Sequence, residues 1–127
     1  MKELIFIAVL ILSACAPSTR VANSDTPAGV VVTVEYLVRP GQEKVAMDAL
    51  LDVVAAVKAN EPESGNIMIL KNLEDSTKLT LVEHWPSKEH FLGPHMEQPH
   101  IQGLIEKSHA FLAGPPKINF WNEQRGR

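Results

Sequence analysis

Apolar residues crowd into one run at the start of the chain, Leu4 to Leu12, and then scatter without period until Val30. From there the pattern becomes regular. "VVVTVEYLV", residues 30–38, is β-branched and predicts a strand. "RPG" turns the chain, and residues 42–60 place Val45, Ala49, Leu50, Val53, Val54 and Val57 at helical spacing. Pro62 and Gly65 stop that helix. "NIMILKNL", residues 66–73, and "LTLVEHW", residues 79–85, predict two strands joined by the hairpin-length polar stretch "EDSTK". Ser87 suits the N-cap of a short helix through Phe91 and Leu92, and Pro99 suits the first turn of another, running to about Ala113. "GPP" ends it, and "KINFWNE", residues 117–123, closes the domain as a strand.

The order β-α-β-β-α-β predicts an α+β, ferredoxin-like domain: a four-stranded antiparallel sheet with its helices on one face. Yet both faces of the strands carry apolar residues. Val30, Val32, Val34 and Tyr36 alternate with Val31 and Leu37; Leu79, Leu81 and Trp85 with Val82; Ile118 and Phe120 with Trp121. Helices cover one face only, so the other predicts an apolar patch that a second copy, sheet against sheet, would cover in a symmetric homodimer.

The N-terminal run changes the picture of where the domain works. It follows Lys2, is too short to span a bilayer as a helix, and leads through Ser13 and Ala14 to Cys15, the chain's single cysteine. "LSAC" resembles a bacterial lipobox. That resemblance implies a lipoprotein signal peptide over residues 1–14, cleavage before Cys15 and lipid on that cysteine; the other reading is an ordinary signal with an incidental cysteine. Residues 15–29 then form a polar tether, on the order of 40 Å when extended, before the domain at 30–123 and a tail at 124–127. Ala16 after the cysteine leans toward an outer-membrane lipoprotein on the periplasmic side. One cysteine permits no intramolecular disulfide. A net charge of -3 gives no basic field for nucleic acid.

Several stretches in order, "RPGQE", "NEPES", "LVEHW", "QPHI" with His95 before it, and "FLAGPPKINFW", resemble the antibiotic biosynthesis monooxygenase family, a group of dimeric α/β barrels that includes quinol monooxygenases. The resemblance covers nearly all of the domain. It implies chemistry without metal or flavin. An electron-rich, deprotonatable ring passes an electron to O2, while the protein binds the ring, takes a proton and stabilises the anion in a dry cavity.

Four of the five histidines lie between Val82 and His100. His84, His90, His95 and His100 match neither the i,i+4 nor the i,i+2 spacing of a metal pair, so no metal is expected. His84 has the strand parity of the dimer side, and His90 and His109 are expected at the surface. The resemblance singles out His95 as the catalytic base, His100 five residues later as a substrate-binding residue or a structural contact near the helix start, and Trp85 as a flat apolar wall of the substrate pocket. Glu83 shares the face of Trp85, as a paired anion or a pocket carboxylate. The family pattern is broken by Gly93-Pro94 just before His95, where the Trp85–His95 spacing is one residue longer than usual; proline cannot continue a regular helix there and threatens to re-aim His95. Strand two lacks the family's usual aromatic, and Val34 stands where haem-degrading members carry asparagine, which disfavours haem cleavage. Two function classes remain open: a membrane-tethered, cofactor-independent monooxygenase of a quinol or similar phenol, and a non-catalytic ligand-binding lipoprotein with the same fold.

Overall fold

The structure, a computed structural model, describes residues 29–124 and Gly126; the expected signal peptide, Cys15 and most of the expected tether lie outside the described residues. Strand β1 spans Val30–Leu37, helix α1 Glu43–Asn60, β2 Ile67–Lys71 and β3 Lys78–Trp85. A short helix α2, Lys88–His90, runs into a π-helical turn, Phe91–His95; helix α3, Pro99–Ser108, and strand β4, Lys117–Trp121, follow. The sheet order is β2-β3-β1-β4 and every pairing is antiparallel. The expected ferredoxin-like α+β architecture is therefore the fold.

Alternation within the strands decides which side meets the helices. Val32, Val34 and Tyr36 of β1 and Leu79, Leu81, Glu83 and Trp85 of β3 point to one buried face, in register through Val32–Glu83, Val34–Leu81 and Tyr36–Leu79. Ala46, Leu50, Val53 and Val57 of α1 and Ile101 of α3 close the core over them. Among the described residues no helix covers the opposite face. Met68 is 43% exposed, Leu70 49% and Trp121 53%, around half-buried Val31, Thr33, Val82 and His84.

Helix α3 stops at Ser108, short of the expected Ala113. Ala110, Phe111 and Leu112 turn back onto the carbonyls of Lys107 and Ser108. The segment then runs along the end of β1: Arg39 N–H donates to Phe111 O at 2.8 Å, Ala113 N–H donates to Leu37 O at 2.8 Å, and Leu112 bridges Val38. Burial of Phe111 and Leu112 in the core outweighs another helical turn. Among the described residues no helix is long and apolar enough to cross a membrane.

Candidate active site

Helix α1 ends where Pro62 disfavours helical backbone for the residue before it. Glu61, the C-cap, accordingly has φ -121° and ψ 85°, while its N–H still donates to Val57 O. The loop that follows is clamped to β3. Gly65 N–H donates to His84 O at 2.8 Å, and a Cβ at Gly65 would lie 2.8 Å from His84 Cβ, so only glycine allows this approach. Glu61 is thereby held under the sheet's edge, only 4% exposed.

His95 arrives from the other side. Ser87 Oγ caps α2 by accepting from His90 N–H at 3.0 Å. A regular helix would then require an N–H from Pro94, which has none. The chain instead widens into the π-turn "FLGPH", which holds an additional residue in the turn and ends at His95. Gly93-Pro94 and the long Trp85–His95 spacing are absorbed there. His95 points inward and is 3% exposed.

The two elements meet at a buried carboxylate. His95 Nδ1 lies 3.0 and 3.1 Å from the two oxygens of Glu61, and His100 Nε2 lies 2.8 Å from Oε2. A carboxylate only accepts, so both ring nitrogens donate N–H to it. This fixes the His95 tautomer: Nε2 carries the lone pair. Nε2 has no partner among the described residues, and the His95 ring lines an apolar cavity of about 70 Å³ between sheet and helices. Burial pushes the His95 pKa down, against the opposing pull of Glu61, so at neutral pH the ring is an unprotonated base.

Glu83 lines the same cavity. One of its oxygens accepts from Trp85 Nε1–H at 2.9 Å. Burial, reinforced by the charge of Glu61, raises its pKa to about 7 against the opposing Trp85 bond. The Tyr36 hydroxyl has no partner among the described residues; burial, then Glu83, pushes its pKa up, so it stays a neutral donor on the cavity wall. Val34, Phe91, Met96, Ile101 and Ile118 supply apolar lining. A wider cavity of about 560 Å³, with Arg39 and His109 among its lining residues, shares Met96, Ile105, Pro116 and Ile118 with the inner one, and so forms its antechamber.

An apolar chamber lined by a neutral imidazole and a carboxyl of raised pKa suits proton transfer to and from the edge of a bound molecule. The family model described as antibiotic biosynthesis monooxygenase matches residues 29–107. The chain belongs to this family. Solved structures share the fold at low identity. A protein titled antibiotic biosynthesis monooxygenase aligns at 14% identity over 76% of this chain and 99% of its own, with TM-score 0.67. A Caulobacter crescentus protein with the same family description aligns at 20% over 80% and 95%, TM-score 0.68. A conserved protein from Methanosarcina mazei aligns at 18% over 75% and 92%, TM-score 0.66. No curated protein matches.

Within this monooxygenase-family domain, the residues singled out in the sequence fall into two layers. His95 and Glu83 line the cavity; Trp85 and His100 do not. Trp85 stands behind the wall, its ring centroid 4.2 Å from that of His95, and fixes Glu83 through the indole N–H. Phe91 supplies the aromatic wall instead, 4.9 Å from His95. His100 lies behind Glu61. His84 lies on the open face and its Nδ1 donates to Asn66 O at 3.1 Å. His90, expected at the surface, is half-buried and stacks on Trp85 at 5.7 Å; His109 is exposed. Among the described residues no group of three or more His, Cys, Asp or Glu side chains is arranged to hold a metal. Glu61 and Tyr36 were not foreseen as site residues. The acid between a helix end and a proline in "NEPES", and the chain's single tyrosine on the helix-facing side of β1, were the available signals.

Proposed function

We propose that this protein is a cofactor-independent monooxygenase of a small phenolic ring of the quinol type, held at a membrane by lipid on Cys15 and active as a homodimer. The observation that carries the reading is the pairing of His95 and Glu83 in one cavity, their proton affinities driven apart. Burial keeps His95 unprotonated and raises Glu83 to about 7, which assigns base and acid.

The ring rests in the antechamber of about 560 Å³ and turns only its reacting phenolic edge into the inner cavity, beside His95 and Glu83. His95 Nε2 takes a phenolic proton, and Glu61 stabilises the imidazolium that results. The ring anion passes an electron to O2, and the two radicals combine into a C–O bond. Glu83 protonates the distal peroxide oxygen. Loss of the proton on the oxygenated carbon forms a carbonyl and breaks the O–O bond, and the departing hydroxide leaves as water with that proton. One quinol and one O2 become one hydroxyquinone and one water. Val34 makes the wall apolar on β1, which agrees with a ring substrate and offers haem no polar group there.

The lipobox-like "LSAC" and the polar segment after it support the tether, since quinols partition into bilayers. The open sheet face, with Met68, Leu70 and Trp121 about half exposed, supports the dimer. Oxygen uptake with 1,4-naphthoquinol tests the chemistry. Wild type is expected to consume one O2 per quinol, and His95→Ala to lose roughly 10²–10⁴-fold in turnover. If wild type consumes no oxygen with this or other quinols, the cavity is a binding site and the enzymatic reading fails.

A further inference from the structure

We propose that His100 is a charge-compensating proton port, releasing a proton to solvent as the buried base His95 takes one, the two coupled through the carboxylate they share. The direction of flow rests on the reading of His95 as base; the coupling itself does not. Glu61 accepts from His95 Nδ1 at 3.0 Å and from His100 Nε2 at 2.8 Å. It brings one negative charge into the protein interior, where Glu61 is only 4% exposed. That charge balances one imidazolium, and a second would stand uncompensated in a low-dielectric interior. Protonation of one histidine therefore disfavours protonation of the other.

The two rings differ in what lies behind them. His95 faces the inner cavity. His100 is 15% exposed at its side chain and lines a groove between α1 and α3, about 310 Å³ in volume, together with Asp52 and Lys107. At rest the one imidazolium that balances Glu61 is His100, with N–H on both ring nitrogens; when the substrate O–H bond breaks and its proton bonds to His95 Nε2, the N–H at His100 Nδ1 breaks and that proton passes to groove water or Asp52. The triad's charge is unchanged. After turnover the N–H at His95 Nε2 breaks and its proton passes to the Glu83 carboxylate, which gave one to the peroxide, while His100 Nδ1 takes a proton back from groove water, so the triad's charge again stays constant. Charged or titratable groups around His95 are Glu61, His90 and His100, with Glu83 along the cavity; around His100 they are Glu61, Asp52 and Lys107.

Long-range ¹H–¹⁵N spectra of the full chain, labelled at histidine, test this between about pH 5 and 9. The His95 and His100 signals should each show two steps, separated by about one pH unit or more. His100→Gln, which keeps an N–H toward Glu61, should abolish the second step and raise the His95 midpoint. With 1,4-naphthoquinol as probe, the same variant should lower kcat about tenfold at unchanged KM, and added imidazole should restore part of the loss. Independent single-step titrations in wild type overturn the coupling, and decide alone if the variant does not fold. A His100→Gln enzyme with wild-type kcat overturns the port. Absence of oxygen uptake by wild type rejects the monooxygenase reading, and the titration still reports on the coupling.

Discussion

Replacing Glu61 separates its two roles, anchoring buried donors and stabilising charge. Glu61→Gln keeps the shape and one carbonyl oxygen. That oxygen can accept from His95 Nδ1–H, while His100 gives up its Nε2 proton to accept from the new amide. Folding should therefore suffer little, about 1 kcal/mol. The chemical step should suffer more. At the 3.0 Å separation of His95 Nδ1 and the carboxylate, an effective dielectric of about 20 gives a Coulomb attraction of roughly 5 kcal/mol for the imidazolium, an upper bound on the effect. A lost charge-assisted hydrogen bond sets the working figure at about 1.5–3 kcal/mol. At about 1.4 kcal/mol per decade, turnover should fall roughly 10- to 100-fold. KM should hold, because Glu61 does not line the cavity. Glu61→Ala instead strands two N–H donors, each at about 1–3 kcal/mol, and should shift urea unfolding by about 2–5 kcal/mol with an unchanged slope. Oxygen uptake with 1,4-naphthoquinol and parallel urea titrations measure both. A Glu61→Gln enzyme within about twofold of wild type in kcat, or one altered only in KM, refutes the reasoning.

Three further outcomes follow. Glu83, with its pKa raised from 4.5 to about 7, keeps its proton on folding where the unfolded chain loses it. Wild-type stability should thus fall by on the order of 3 kcal/mol between those values and level off above them. Glu83→Gln should remove that trend in pH-dependent urea melts. What then remains is the opposite contribution of His95, whose lowered pKa costs stability as pH drops below its ordinary 6.5. Val82→Glu, a charge on the open sheet face, should weaken self-association roughly tenfold or more in sedimentation equilibrium; a wild-type chain already monomeric at micromolar concentration refutes the sheet-to-sheet dimer. Cys15→Ser should leave uncut precursor and abolish lipid attachment by mass spectrometry, and an unmodified mature N-terminus elsewhere in wild type refutes the anchor.

The fold was legible because its signals are local. Alternation in residues 30–38 and 79–85 names the buried face of β1 and β3 directly, and the helical spacing of Val53 and Val57 names the face of α1 that covers it. Errors gathered where a tertiary contact overrides the local pattern. Residues 109–113 read as helix, yet Phe111 and Leu112 are buried in the core while their neighbours hydrogen-bond along β1. Trp85 read as a cavity wall from the family resemblance and its strand parity. Parity states the face, but not whether a side chain lines a cavity or stands behind those that do.

The site was half legible for a related reason. His95 stands out through its motif, but its function depends on a partner 34 residues earlier, and no period in the sequence connects the two. Glu61 looks like any acid at a helix end. Only the joint effect of Pro62, which swings residue 61 out of helical backbone, and Gly65, which lets the loop lie against His84, carries that acid under the sheet. Pro94 acts in the same way from the other side. Read locally, it breaks a helix and endangers His95. In the structure the missing N–H favours a π-turn, and the widened turn delivers His95 to Glu61 rather than to solvent. Two backbone irregularities that read as departures from regular structure thus converge on one hydrogen bond. A change that regularises either segment, such as Pro94→Ala or Gly65→Ala, would leave every cavity-lining residue in the sequence and still misplace the base.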